Sequence, residues 1–285
     1  MVDKYTKVET LGEGTYGIVT LVELDSKLYS LKKFKKPIKL SCCLNTLKNT
    51  GSVVEIIYSN EHAGDTVSDS NKITDGDSGK VLAIVTKYIF GQCLIDVFST
   101  MTAETYFTFD ELEQILFDLL QQVNAWHSAD IIHSDIKPDN VIYDRQTGTC
   151  CLIDLDSCVS IIDQNTIKTG ITKSYLSPEF INTCGTAKMT FNVLKRNNVY
   201  AIGMTVYCMA KGEAAFEQTC EEYPLREFDF NTYCSLKFSC NHGITVSKFG
   251  HTYDDFDRVI EGMILSPKST ASVLQSYFQP YFQLH

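Results

Sequence analysis

Between His133 and Asn140 the chain reads His-Ser-Asp-Ile-Lys-Pro-Asp-Asn, which puts a carboxylate, an ammonium and an amide within a short stretch. Asp135 can orient a hydroxyl and accept its proton, Lys137 can neutralise charge on a group in transfer, and Asn140 offers an amide oxygen to a hard metal ion. Downstream, the apolar run Cys151-Leu152-Ile153 ends on Asp154. An isolated aspartate after a strand usually closes a turn, but its nearness to the first cluster favours a metal role. Near the start, Gly12-Glu13-Gly14-Thr15-Tyr16-Gly17 can bring backbone N–H groups close over phosphates without side-chain obstruction. That spacing equally suits an ordinary hairpin turn. Its dinucleotide-binding alternative needs a helix to follow, whereas residues 17–24 read as strand. Lys32 lies on the next strand-like run, where it can reach phosphate oxygens; Lys33, Lys35 and Lys36 keep a solvated surface lysine as the competing reading.

These side chains need elements to position them. Short β-rich runs at 5–11, 17–24, 27–34, 52–59 and 81–90 predict an antiparallel sheet. Residues 60–80 are polar and acidic with almost no bulky apolar side chains, the pattern of a mobile strand-to-strand insertion. From Thr108 the period becomes helical, through Leu112, Ile115, Leu116, Leu119, Leu120, Val123 and Trp126, and Thr108 with Glu111 forms a capping box. Residues 199–210, 254–265 and 269–278 are further helix candidates. The expected fold is α+β and a single domain over 1–285. It has a small antiparallel β-rich lobe over about 1–88 and a larger, mainly helical lobe over about 89–285.

Composition narrows the setting. With 25 Lys+Arg against 35 Asp+Glu, the formal charge of -10 opposes nucleic acid and anionic lipid and suits basic protein partners. No apolar run approaches the roughly 20 residues of a membrane span, and the first residues lack a secretory h-region. The expectation is a soluble, intracellular monomer of the cytoplasm or nucleus. Eleven cysteines, two pairs of them adjacent and none in C-x-x-C spacing, read as reduced packed thiols, with a zinc site built from scattered cysteines as the weaker alternative.

Taken in order, these motifs resemble the serine/threonine branch of the protein-kinase superfamily over nearly the whole chain. His133, Asp135, Lys137 and Asn140 match H-R-D-x-K-x-x-N, and Asp154 stands where D-F-G begins. Ser177-Pro178-Glu179 resembles A-P-E, residues 198–216 resemble the helix that begins D-V-W-S-x-G, and 268–278 resemble the usual closing helix. The opening, residues 3–19, is similar to that of cyclin-dependent kinases. The resemblance implies a bilobal fold with ATP between the lobes. Gly12, Glu13, Gly14, Thr15, Tyr16, Gly17 and Val19 would contact nucleotide, Lys32 its phosphates, and Asn140 and Asp154 would hold Mg²⁺. Asp135 would be the catalytic carboxylate with Lys137 beside it, the lysine being the serine/threonine-type signature. Thr86 would be the gatekeeper, with Lys87 and Ile89 giving backbone hydrogen bonds to adenine; Thr86, Tyr88 and Ile89 serve equally well as hinge packing.

Several positions depart from the family pattern. No acidic residue occurs between Asp25 and Glu55, so the glutamate expected to pair with Lys32 is missing, with Glu55 or Glu61 as stand-ins. Asp156 replaces the D-F-G glycine, read as a solvent-facing turn residue, and Leu155 replaces its phenylalanine. Ser134 replaces the arginine that receives an activation-loop phosphate, so phosphorylation there is not expected to be the switch, and Thr172 is expected to pack near Asp135 and Lys137. Asn198 replaces a buried aspartate, its amide oxygen expected to accept the same backbone bonds, and Lys268 stands where an arginine would pair with Glu179. This is the pattern of a fast-evolving minimal kinase such as a large DNA virus encodes, working without a cyclin-like activator. The competing reading is a nucleotide-binding pseudokinase. A small-molecule kinase is disfavoured by Lys137 and by the segment 177–179.

Overall fold

A computed structural model describes residues 4–39, 42–49, 51–58, 80–100, 107–160, 172–186, 188–211 and 247–284. The acidic insertion expected near 60–80, apart from Lys80, and Glu61 lie outside the described residues. Contacts divide the chain into two compact units, Met1–Ile89 and Phe90–His285.

The first unit is an antiparallel sheet of β1 (Thr6–Glu13), β2 (Gly17–Leu24), β3 (Lys27–Lys39), β4 (Glu55–Tyr58) and β5 (Lys80–Lys87), in the order β1-β2-β3-β5-β4. Asp25 and Ser26 both take positive φ, 51° and 58°, and make the two-residue turn whose twist matches the strands it joins. Tyr5, Val22, Leu31, Ile57, Ala83 and Val85 form the core on one face. A short helix, α1 (Cys42–Asn49), buries Leu44 and Leu47. The strands β3 and β4 are respectively longer and shorter than their apolar patterns implied, because β3 continues through the polar run to Lys39 by pairing Ile38 and Lys39 with β5.

Register then does what spacing alone could not. Gly12 pairs with Val19, Val19 with Lys32, and Lys32 with Ile84, so four positions from four strands form one cross-strand row. Directly opposed residues share a face.

The second unit is built around α3 (Phe109–Ser128), preceded by β6 (Gln92–Cys93) and α2 (Leu94–Ser99). The Thr108–Glu111 capping box forms as expected, and Leu112, Ile115, Leu116, Leu119, Leu120, Val123 and Trp126 are buried. Asp130, in the left-handed region, stops the helix. Next come β7 (Ile131–His133), β8 (Val141–Asp144), β9 (Thr149–Leu152) and β10 (Cys158–Ser160), which form sheets of order β6-β8-β9 and β10-β7. The helices α4 (Pro178–Thr183), α5 (Phe191–Lys211), α6 (Tyr253–Leu265) and α7 (Thr270–Leu284) follow among the described residues. The α5 helix begins earlier than its apolar run, and packs against α3 and α6. A second capping box, Thr252 with Asp255, opens α6.

Gly17 and the other motif glycines differ in kind. A Cβ on Gly17 would stand 2.5 Å from the Lys33 carbonyl oxygen, whereas Gly12 and Gly14 have nothing within 4 Å. Gly17→Ala should therefore lower stability to urea by roughly 1–3 kcal/mol, while Gly12→Ala and Gly14→Ala leave the unfolding midpoint close to wild type. Equal destabilisation by all three would contradict this division.

Candidate active site

In the first unit, the row Gly12, Val19, Lys32 gathers glycine-motif and lysine candidates on one face, and Thr86, two residues beyond Ile84 on β5, shares it. The Lys32 ammonium lies 5.9 Å from the Phe34 ring centroid. The glycine-rich turn, with Thr15 and Tyr16 at its tip, is closed internally: Gly14 N–H donates to the Gly17 carbonyl at 2.9 Å, and Lys35 N–H to that of Tyr16 at 2.9 Å. Glu13 is paired with Lys35 at 2.8 Å, and this hydrogen bond holds its carboxyl below the ordinary range. Tyr88 N–H donates to the Leu28 carbonyl at 3.2 Å, so alternation along the chain turns the backbone of Lys87 and Ile89 to the other edge, past Val85, which pairs with Glu55 of β4.

Glu55 does not stand in for the missing glutamate. Its carboxylate accepts from Tyr5 Oη at 2.6 Å and from Lys4 Nζ at 3.0 Å. Burial pushes this carboxyl up, but the bonds from Tyr5 and Lys4 outweigh it and the net direction is down. The α1 helix, Cys-Cys-Leu-Asn-Thr-Leu-Lys-Asn, carries no acidic side chain.

In the second unit the catalytic-loop candidates converge. Both oxygens of Asp135 are occupied: Oδ2 accepts from Lys137 Nζ at 2.7 Å and Asn140 Nδ2 at 3.1 Å, while Oδ1 accepts from Thr172 Oγ1 at 3.2 Å. Lys137 also donates to Thr172 Oγ1 at 2.8 Å, as the sequence led one to expect of Thr172. The ring of His133 is fully buried, stacked at 13° on Trp126; Nε2–H donates to the Ile153 carbonyl at 2.9 Å and Nδ1 accepts the Asp135 N–H at 3.3 Å. Burial pushes this imidazole down against the bond to Ile153 and the nearby Asp154, Asp135 and Asp156, and an Nδ1 that accepts an N–H carries no proton, so the ring is neutral.

Asn140 donates its amide N–H groups to the Asp135 carbonyl (2.7 Å) and carboxylate, which turns its amide oxygen away from Asp135. Asp154 adopts φ 62° and ψ 49°, a left-handed conformation unusual for a residue with a side chain, and Ser157 Oγ donates to its Oδ2 at 2.8 Å. An amide oxygen and a carboxylate fit a hard cation such as Mg²⁺, which takes few protein ligands and completes its shell with water and phosphate oxygens.

Three departures from the family pattern resolve differently from expectation. Asp156 is buried, not solvent-facing, because the 3-10 turn Leu155–Ser157 between β9 and β10 folds it inward. Glu179 pairs with Arg196 of α5, Nε to Oε2 at 2.8 Å in a two-pronged bridge, and not with Lys268, which is exposed. Asn198 meets the loop through its amide nitrogen, which donates to the His133 carbonyl at 2.7 Å, while its oxygen faces His127 Nε2 at 3.1 Å. The residues that sequence reasoning missed are His127, Ser157 and Arg196. Only His127 carried a signal, a polar side chain on the apolar stripe of α3.

Ser134 also has a role of its own. Its hydroxyl and its N–H (3.0 Å) both donate to the Ser157 carbonyl, joining the catalytic loop to the turn that holds Asp154.

The two units are the β-rich and mainly helical halves of a bilobal α+β kinase fold, and the chain belongs to the protein kinase family: the model of the protein kinase domain matches residues 5–269. Among relatives, a probable serine/threonine-protein kinase of Dictyostelium discoideum is 27% identical over 73% of this chain and 42% of that protein. A probable serine/threonine-protein kinase of Saccharomyces cerevisiae is 30% identical over 70% of this chain and 32% of that protein. The chain thus spans less than half the length of these curated relatives. The structure of the Cydia pomonella granulovirus kinase superposes with a TM-score of 0.67 at 17% identity, covering 97% of this chain and 94% of that one, which shows the shared fold. Among the described residues, no helix is long and apolar enough to cross a membrane.

The network behind the loop has a pH signature. Burial, opposed by the bond to Asn198 and reinforced by Lys195, holds His127 down to about 4 against an ordinary 6.5. Between these values the unfolded chain binds the extra proton, so stability is retained above 6.5 and lost as pH falls toward 4. The loss should reach roughly 3 kcal/mol in urea unfolding, and His127→Gln should flatten that dependence. An unchanged slope in the variant would place the effect elsewhere.

Proposed function

We propose that the chain is an active serine/threonine protein kinase that transfers the γ-phosphate of Mg-ATP to protein hydroxyls. The observation that carries this reading is the fixed geometry of Asp135, with each carboxylate oxygen held and Lys137 and Asn140 in direct contact. A substrate hydroxyl would be aligned by Asp135 as its oxygen bonds to the γ-phosphorus and the bond to the ADP oxygen breaks, with the hydroxyl proton passing to the carboxylate. Lys137 would offset charge on the phosphoryl group, and the pairing of Lys137 with Thr172 supports the serine/threonine assignment. Asn140 and Asp154 would hold Mg²⁺, which screens the phosphate charge when bound. Lys32 would steady the phosphates beneath Gly12–Gly17, and the backbone of Lys87 and Ile89 would meet adenine.

The formal charge of -10 supports basic protein substrates and disfavours nucleic acid and anionic membranes. The short α1 helix without an acidic residue supports action without a cyclin-like activator, since repositioning it would bring no carboxylate to Lys32. That same helix, with Glu55 engaged elsewhere, is what favours the second reading, a nucleotide-binding pseudokinase. Transfer of labelled γ-phosphate to a mixture of basic proteins separates the two. Wild type should yield phosphoserine and phosphothreonine, and Asp135→Ala should lose at least about a hundredfold in rate while still binding nucleotide. No transfer by folded wild-type chain with Mg²⁺ or Mn²⁺ would establish the pseudokinase.

A further inference from the structure

The carbonyl of His133 has no proton to give, so the Asn198 atom 2.7 Å from it is a donating amide nitrogen. That single assignment fixes the buried contacts behind the loop. With its nitrogen committed, Asn198 presents its oxygen to His127 Nε2 at 3.1 Å, which therefore carries the imidazole proton. His127 Nδ1 can then only accept. Thr270 Oγ1 lies 3.2 Å from His127 Nδ1 and donates to the Asn124 amide oxygen, Oδ1, at 3.1 Å. Asn198 and Thr270 are 1% exposed and His127 is 5% exposed, so water does not substitute for the links among these three side chains. The bonds that reach the loop run one way, from His127 on α3 through Asn198 on α5 to the His133 carbonyl.

We propose that Asn198 is a positioning residue that braces the catalytic loop as a hydrogen-bond donor, so that the aspartate which the resembling kinases carry there would impair this chain. At neutral pH an aspartate offers only acceptors, leaving the buried His133 carbonyl unpaired and facing a negative charge. The effect reaches the chemistry through the next residues, because the Asp135 N–H rests on His133 Nδ1. Its consequence for phosphate transfer rests on the kinase reading above; the direction of the brace does not.

The ionisable groups that face this position are His127 on α3, His133 on β7 and Lys195 on α5. Lys195 Nζ donates to the His127 carbonyl at 2.9 Å and lies 4.0 Å from Asp130. In Asn198→Asp, kcat near neutral pH should fall about tenfold, the scale of one lost buried bond, with KM for ATP little changed. Acidification should restore kcat relative to wild type, since a protonated carboxyl can donate to the carbonyl. Asn198→Ala should fall as far without that recovery. Nitrogen NMR of labelled histidines should find His127 protonated at Nε2 alone in wild type, and at both nitrogens in Asn198→Asp. An Asn198→Asp enzyme as fast as wild type at neutral pH, or a wild-type His127 protonated at Nδ1, overturns the proposal. If wild type transfers no phosphate, the kinase reading fails by itself, and the tautomer still decides the brace.

Discussion

His133 is where the second unit's candidate chemistry is tied together. Its Nε2–H holds the carbonyl of Ile153, next to Asp154; its Nδ1 holds the N–H of Asp135; its carbonyl takes the amide of Asn198; and its ring lies on Trp126. One neutral imidazole thus ties the segment that carries the candidate base to the residues after β9 that carry a candidate metal ligand. The two ring bonds require a neutral imidazole protonated at Nε2, and full burial of the ring favours that state. Charging the ring would remove the acceptor that Asp135's backbone uses.

From that centre the construction proceeds by hydrogen bonds that need no added phosphate. Ser134, in the place of an arginine, fastens the loop to the Ser157 carbonyl, and the Ser157 hydroxyl holds Asp154. Asn197 and Asn198 on α5 work side by side: one accepts the N–H of Ser177 ahead of α4, the other donates to His133. Arg196, one residue earlier, grips Glu179. A single stretch of α5 therefore positions both the His133–Asn140 loop and the segment after Thr172. The cost of a strained Asp154 backbone is offset by the turn that Ser157 closes.

Much of this was legible in the sequence, for identifiable reasons. The α3 helix announced itself through an unbroken apolar stripe and a capping box, and the candidate residues of the His133–Asn140 loop through fixed local spacing. What the sequence could not convey was choice among long-range partners. Arg196 and Lys268 are equally basic in a string of letters, but only the helical position of Arg196 reaches Glu179. Asp156 looks like a turn residue until the 3-10 turn rotates it inward. The polarity of the Asn198 bond was invisible because an amide both donates and accepts, and only the identity of its neighbour, a carbonyl, decides. The row of Gly12, Val19 and Lys32 required knowing the register, which the turn at Asp25–Ser26 sets.

On the kinase reading proposed above, these bonds would assemble a working site before any modification of the chain. The most direct measurement is the time course of γ-phosphate transfer to a basic protein by chain freed of phosphate with a phosphatase and checked by mass spectrometry. Transfer that begins at its full rate, without a lag, is the predicted result. No transfer, or a lag that shortens as the chain first phosphorylates itself, would contradict it.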